Sequence, residues 1–131
     1  MNLPRRPSPS RAASFRYAFS GIGYLLRTQP NARIHAAITI AVLILGAWLN
    51  LTCTAWAILM LATGLVWMAE SFNTALEAII DLASPDLHPL AKIGKDVSAA
   101  AVLITAITAV IVGAFILGPP FYAKIFVVIR H

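Results

Sequence analysis

The stretch ESFNTALEAIIDLASPDLHPLAKIGKD, residues 70–96, holds every carboxylate side chain of a 131-residue chain. These five side chains are Glu70, Glu77, Asp81, Asp86 and Asp96. A helical period places Glu77 and Asp81 within about 20° of Glu70 around the helix axis, and the opposite side of this helix is apolar. Because carboxylates are costly in or near lipid, an acidic stripe among apolar segments predicts a functional site.

The composition indicates an integral membrane protein of one small domain. Hydrophobic residues make up 60% of the chain and charged residues 11%, whereas soluble domains average about 25% charged. The net charge is +5, but the basic residues are scattered, so we expect no nucleic-acid partner. Cys53 is the sole cysteine and excludes an intrachain disulfide. Residues 1–11 predict a disordered tail, and without an apolar run behind their charges we expect no cleavable signal peptide.

The rest of the chain predicts an all-α membrane protein. Residues 12–28 have an apolar face (Phe15, Phe19, Ile22 and Leu26), which favours an amphipathic helix on the membrane surface over an ordinary packing helix. Pro30 is expected to end this helix. Three apolar stretches then predict transmembrane helices at about 34–51, 52–82 and 97–117.

The boundaries between these segments follow from turn residues. Asn50 is predicted to be a turn residue, so the first two spans form a tight antiparallel pair. Ser84–Leu90 contains two prolines and predicts a loop. Gly118-Pro119-Pro120 is expected to stop the third span, so that a single domain covers residues 12–121 and a C-terminal tail covers 122–131.

Lysine and arginine predict the orientation. Six arginines precede the first span, and Lys92 and Lys95 lie in the loop after the second. Both regions are therefore expected in the cytoplasm, with the acidic stripe beside them. The C-terminus is then expected outside, against which Lys124 and Arg130 argue weakly.

The acidic stripe next to Lys92, Lys95 and Asp96 suggests a site for magnesium and phosphate, since magnesium binds one or two carboxylates plus substrate phosphates. Glu70, the deepest acid, suits a general base. Gly94-Lys95 lacks the spacing of a phosphate-binding loop. On the residues alone, a cation or proton path is an equal alternative, and His35 and His88 are more simply interfacial histidines than metal ligands.

The segment AESFNTALEAIIDLASPDLHPLAKIGKDVSAAAVLI resembles the signature of the bacterial diacylglycerol kinase family, approximately E-x-x-N-[ST]-A-[IL]-E-x-x-x-D followed by a loop and A-K-D. The family includes undecaprenol kinases, and NARIH (31–35) and SPDLHPLAK resemble that branch more closely. The resemblance implies a lipid kinase that uses ATP and Mg²⁺. It also implies a homotrimer in the bacterial inner membrane, with active sites between subunits.

The resemblance also implies roles for single residues. Glu70 corresponds to the catalytic base and Glu77 to a magnesium ligand. The remaining nucleotide contacts are implied at Tyr17, Gln29, Asp81, Asp86, His88, Lys95 and Asp96. The lipid contacts are implied at Arg11, Trp48, Glu70, Asn73 and Ala99.

Two positions depart from the family pattern. Gln29 stands where the family has a glutamate that binds magnesium, and a neutral amide oxygen is a weaker ligand for this cation. Ser10 stands where the family has an arginine, for which the adjacent Arg11 is expected to substitute. Gln29 is the feature that favours the alternative function, a non-catalytic membrane assembly protein or ion path that retains the acidic stripe.

Overall fold

Four helices form the protein in a computed structural model that describes residues 10–84 and 88–129, the last three of these as backbone only. They are α1 (Arg11–Thr28), α2 (Pro30–Leu49), α3 (Cys53–Ala83) and α4 (Pro89–Ile129). The described residues contain no strand, which confirms the all-α prediction.

Helix α1 begins at Arg11, one residue before the predicted helix start at residue 12. The Ser10 hydroxyl accepts a hydrogen bond from the Ala13 amide at 3.3 Å, so Ser10 is the N-cap and Arg11 already belongs to the helix. The predicted apolar face is exposed, with Phe15 at 68% and Phe19 at 71%. Its placement on a membrane surface stays a prediction.

Gln29 alone separates α1 from α2. Its backbone is extended, and its amide donates to the Leu25 carbonyl at 2.9 Å. Pro30 ends α1 as predicted but also starts α2, four residues before the predicted start at Ile34, because proline is favoured in the first turn of a helix. Arg33 donates to the carbonyls of Leu26 and Arg27, which α1 cannot pair internally.

The turn between α2 and α3 is tight, as predicted. Asn50 adopts the left-handed conformation (φ 54°), which asparagine tolerates well, and Thr52 caps α3. Gly46 allows the close approach of the two helices, since an added Cβ would lie 2.8 Å from Cη2 of Trp56. Helix α3 then continues without a break through the acidic stripe to Ala83.

Helix α4 is longer than predicted at both ends. It starts at Pro89 instead of Val97 because proline again occupies a helix start. It also continues through Pro119 and Pro120 to Ile129, so the predicted stop at Gly118-Pro119-Pro120 is wrong, and residues 122–129 of the predicted tail extend the helix. Pro119 and Pro120 have no backbone N–H and so cannot donate helical hydrogen bonds. Contacts from Phe121 and Lys124 to Trp48 stabilise the turns that follow.

Three helices are long and apolar enough to cross a membrane: Pro30–Leu49, Cys53–Ala83 and Pro89–Phe126. Helix α3 packs most extensively against α4. Most large apolar side chains are nevertheless exposed, and the described apolar core is small. Its members are Leu25, Ala32, Leu49, Leu59, Val66 and Val102. This distribution is typical of a membrane protein, whose outer apolar surface contacts hydrocarbon or packs against neighbouring apolar helices.

Candidate functional site

A polar cavity of about 290 Å³ lies where Gln29, the joint between α1 and α2, meets α3 and α4. Its polar lining consists of Gln29, Asn31, His35, Glu70, Asn73 and Glu77. Its apolar lining comes from Ala99, Val102, Leu103 and Ala106 of α4. The structure therefore brings together Glu70, Glu77, Gln29, Asn73 and Ala99, five of the residues that the sequence predicts for the site.

Glu70 is the most deeply buried of the described large side chains, with 1% of its surface exposed. Its Oε2 atom has no hydrogen-bond partner among the described residues. The same holds for Nε2 of His35, on the wall of the same cavity. An unsatisfied buried carboxylate oxygen is costly for folding, and such groups are concentrated where proteins bind or react with a ligand.

Glu77 lies two helical turns after Glu70 on α3 and is held by a side-chain network. Asn73 donates from Nδ2 to Oε1 of Glu77 at 3.0 Å. The Ser98 hydroxyl, on α4, bonds to Oδ1 of Asn73 at 2.6 Å and lies 2.9 Å from the Lys95 carbonyl. Asn73 and Ser98 are both buried, so α3 and α4 are linked by polar contacts beside the cavity.

The remaining charges of the acidic stretch lie on the exposed side of this network. Lys95 forms an ion pair with Asp81, which follows Glu77 by one helical turn. Lys92 pairs with Asp96 on the surface of α4. None of these four residues lines the cavity. They form an accessible charged rim next to it, where ion pairs are weak and can exchange partners.

Three predicted nucleotide or lipid contacts, Arg11, Tyr17 and His88, do not line the cavity. Arg11 and Tyr17 are exposed on α1, and the Tyr17 ring lies 5.7 Å from the Arg16 guanidinium carbon. His88 precedes α4, where its Nδ1 accepts a hydrogen bond from the Leu90 amide at 3.2 Å. Asp86 lies outside the described residues. The predicted roles of these residues stay predictions.

Trp48 lies far from the cavity, near the C-terminal end of α2. His35, on the cavity wall, precedes it by 13 residues, which is about 20 Å along a helix. The Trp48 ring packs edge-on against Phe121, with centroids 6.1 Å apart. The structure thus groups Trp48 with the end of α4, and its predicted contact with the lipid stays a prediction.

Two polar residues that line the cavity, Asn31 and His35, and one residue beside it, Ser98, were not predicted as site residues. Ser98 carries no sequence signal beyond its small size, because its partner Asn73 is 25 positions away. Asn31 and His35 do stand within the NARIH segment that resembles the undecaprenol kinase branch. That segment is the one signal that points to them.

An apolar groove of about 290 Å³ adjoins the polar cavity, and both are lined by His35 and Ala106. It runs between α2, α3 and α4, with Leu117 among its lining residues. Nε1 of Trp67 donates to the Thr39 hydroxyl at 3.1 Å within this lining, so these two polar groups pair with each other, and the remaining lining is mainly apolar. Such a surface suits a hydrocarbon chain.

The cavity has a donor set that fits magnesium. No group of three or more His, Cys, Asp or Glu residues that could hold a metal ion occurs within residues 10–84 and 88–129. Two carboxylates, Glu70 and Glu77, and the Gln29 amide nevertheless line one cavity. Magnesium commonly takes one or two protein carboxylates and completes its shell with water and substrate phosphates, so a dedicated protein cage is not required.

Fold and cavity together define a helical membrane protein with a buried carboxylate that faces a polar pocket next to an apolar groove. The family described as prokaryotic diacylglycerol kinase matches residues 16–117. The chain belongs to this family, which confirms the resemblance found in the sequence.

Individual relatives agree with this assignment. The chain is 46% identical over 114 residues to a diacylglycerol kinase of Synechocystis sp., covering 86% of this chain and 65% of that protein. It is 41% identical over 106 residues to an undecaprenol kinase of Bacillus subtilis, covering 81% and 86% respectively. A diacylglycerol kinase of Escherichia coli (strain K12) is 28% identical over 95 residues, covering 72% and 78%. The chain thus spans less than two thirds of the Synechocystis protein.

Proposed function

We propose that this protein is a lipid kinase, which transfers the γ-phosphate of ATP to the hydroxyl group of a membrane lipid at the cytoplasmic membrane interface. The observation that carries the proposal is Glu70, which is 1% exposed, lies in the same cavity as Glu77 and has a carboxylate oxygen without a partner in the described part of the chain. The names of the relatives supply the two lipid candidates, diacylglycerol and undecaprenol.

Glu70 acts as the general base in this proposal. Its unpaired oxygen accepts the proton of the lipid hydroxyl. The hydroxyl oxygen forms a bond to the γ-phosphorus, while the bond from that phosphorus to the bridging oxygen of the β-phosphate breaks. The products are the phosphorylated lipid and ADP, and the proton remains on Glu70 until it exchanges with solvent. Such a transfer depends mainly on positioning and charge neutralisation, which a small cavity can supply.

Glu77 and Gln29 are the proposed protein ligands of magnesium. When bound there, the cation neutralises negative charge on the phosphates of ATP. Asn73 donates to one oxygen of Glu77 and thereby leaves the other oxygen and the remaining lone pairs available. Gln29 is the single residue between α1 and α2, and it lines the cavity. Its side-chain amide offers magnesium an oxygen but carries no charge.

The exposed rim is the proposed nucleotide-binding surface. The Lys95 ammonium pairs with Asp81 on the surface, and an exposed ion pair costs little to exchange for a phosphate. Asp96 is the further rim residue proposed to act on the nucleotide. Tyr17, Asp86 and His88 complete the proposed contacts.

The lipid is proposed to approach through the membrane with its hydroxyl at Glu70 and Asn73. Ala99 lines the cavity and leaves room for the lipid head, while Arg11 and Trp48 are the more distant proposed contacts. A homotrimer in the bacterial inner membrane, with three spans and a cytoplasmic N-terminus, remains part of the proposal. The many exposed apolar side chains are consistent with helices that pack against lipid and further copies of the chain.

The decisive experiment is transfer of labelled γ-phosphate by purified protein in detergent, with undecaprenol and diacylglycerol offered in parallel with magnesium. We expect one of these lipids to be phosphorylated faster than the other, and the faster reaction identifies the substrate. Absence of transfer to both lipids, with folded protein and high magnesium, would contradict the proposal. It would favour the alternative, a non-catalytic membrane assembly protein or ion path in which Gln29 marks a lapsed metal site.

A further inference from the structure

The Ser98 side chain is a buried polar group on the face of α4 that packs against α3. It is 7% exposed, and Asn73 is 9% exposed. The Ser98 Oγ and Asn73 Oδ1 atoms are 2.6 Å apart, which is a short hydrogen bond. Ser98 therefore does more than allow close helix packing, which a glycine or alanine would allow equally well.

The chemistry of the three side chains fixes the direction of their hydrogen bonds. The carbonyl oxygen of Asn73 can only accept, so the Ser98 hydroxyl must donate to it. The Asn73 amide nitrogen then faces Oε1 of Glu77 at 3.0 Å and donates to it. With the amide rotated by 180°, the Asn73 carbonyl oxygen would face Oε1 of Glu77 at that distance, so the hydrogen bond to Glu77 favours the observed orientation.

Ser98 also joins this network to the rim. Its Oγ lies 2.9 Å from the carbonyl of Lys95, whose side chain pairs with Asp81. One hydroxyl proton cannot satisfy two acceptors fully, and the shorter distance belongs to Asn73. The main contribution of the hydroxyl is thus to Asn73, and through Asn73 to Glu77.

We propose that Ser98 is a positioning residue for the metal ligand Glu77: its hydroxyl locks the Asn73 amide so that the amide nitrogen holds the Glu77 carboxylate in place. The inference rests on the proposed function of Glu77 as a magnesium ligand. Ser98, on α4, acts on the proposed metal ligand of α3 through Asn73 and itself contacts neither metal nor substrate. Removal of such an outer partner usually weakens metal binding while leaving the ligand itself in place.

The test removes the hydroxyl in two ways, Ser98→Ala and Ser98→Gly, and retains it in Ser98→Thr. Ser71→Ala is the matched control, because the Ser71 hydroxyl is exposed and, among the described residues, bonds to the Trp67 carbonyl of its own helix. Two properties are measured for each variant. One is the magnesium concentration for half-maximal phosphate transfer, together with the KM for the lipid. The other is the magnesium concentration that produces half of the thermal stabilisation in the presence of a non-hydrolysable ATP analogue.

We expect Ser98→Ala and Ser98→Gly to raise both magnesium concentrations about tenfold and to raise the lipid KM by a smaller factor, because Asn73 is also a proposed lipid contact. Ser98→Thr should restore most of the magnesium affinity, and Ser71→Ala should behave like the wild type. An unchanged magnesium requirement in both hydroxyl-free variants would overturn the inference, and so would an equal loss of lipid and magnesium affinity. If the wild type transfers phosphate to neither lipid, it is the proposed function that fails, so the two failures are distinguishable.

Discussion

Lys124 of α4 donates a hydrogen bond to the main-chain carbonyl of Trp48, and its Nζ lies 4.6 Å from the centroid of the Trp48 ring. Trp48 is the penultimate residue of α2, so this carbonyl has no partner within its own helix. A cation is also favourable at the C-terminal end of a helix dipole. The contact joins the ends of α2 and α4 at a distance from the polar cavity.

Replacing Lys124 by methionine should therefore reduce stability. The variant loses the hydrogen bond and the cation–π contact, and we expect a decrease of about 1–2 kcal/mol in the free energy of unfolding in detergent. Lys92→Met is the control, because Lys92 is exposed and pairs within its own helix. Equal stability of the two variants would show that the Lys124 contact contributes nothing beyond a surface charge.

Glu70→Gln should abolish phosphate transfer. The amide is similar in size but cannot accept the proton of the lipid hydroxyl, and loss of a general base commonly costs at least about 100-fold in rate. Transfer is measured under saturating lipid and ATP, with circular dichroism and size-exclusion chromatography to show that the variant folds and assembles as the wild type does. Retained turnover would remove Glu70 from the role of base.

Glu77→Ala should raise the magnesium requirement sharply, because the cavity then keeps one carboxylate and a neutral amide. Initial rates are measured over a magnesium titration at saturating ATP. Glu77→Gln serves as the companion variant, since it retains an oxygen ligand and the contact with Asn73. A magnesium dependence equal to that of the wild type in both variants would count against the ligand role.

Gln29→Glu should have the opposite effect. Gln29 already lines the cavity from the joint between α1 and α2, so the substitution adds a charged oxygen ligand without moving the backbone. We expect half-maximal transfer at a magnesium concentration lower by about tenfold, since hard cations prefer charged oxygen ligands. Asn31→Asp introduces the same charge at a neighbouring position of the cavity wall. An equal response of both variants would show a general electrostatic effect instead of metal ligation by residue 29.

Gly46→Ala should destabilise the pair formed by α2 and α3. The added Cβ would lie 2.8 Å from Cη2 of Trp56 and 3.1 Å from Cδ1 of Leu51, which are too close to fit without displacement. Overpacking of this kind typically costs about 1–3 kcal/mol. Gly64→Ala is the control, because nothing lies within 4 Å of its added Cβ. Thermal unfolding in detergent should separate the two variants, and identical midpoints would contradict the close approach at Gly46.

Features that depend on local periodicity were predictable from the sequence. The apolar runs predict three long helices, Asn50 predicts their tight connection, and the acidic stripe predicts Glu70 and Glu77 on one side of a helix. The continuation of α4 through Pro119 and Pro120 was not predictable from the sequence, because the contacts that stabilise it come from Trp48, more than 70 residues earlier. A local breaker was outweighed by tertiary packing.

The site residues also divide into those that local sequence predicts and those that tertiary packing determines. Residues of the acidic stretch were found because carboxylates are rare in an apolar chain. Asn31 and His35, which line the cavity, and Ser98, which lies beside it, were missed because their positions depend on how α2 and α4 pack against α3. Trp48 was associated with the lipid on resemblance alone, and the structure places it with Phe121 and Lys124 at the end of α4.

The uncharged turn at Asn50 bears on how the protein enters its membrane. From Ile34 to Ala69 the chain contains no Asp, Glu, Lys or Arg, so α2, the turn and the first half of α3 can insert together as one hairpin. No such charge has to be carried through hydrocarbon, which would cost about 2.5–3.5 kcal/mol for each on insertion scales. Glu70 is the first charge after this stretch, and we expect it to stay on the side from which the hairpin enters. The end of the uncharged stretch is then expected to set the membrane depth of the carboxylate during biosynthesis.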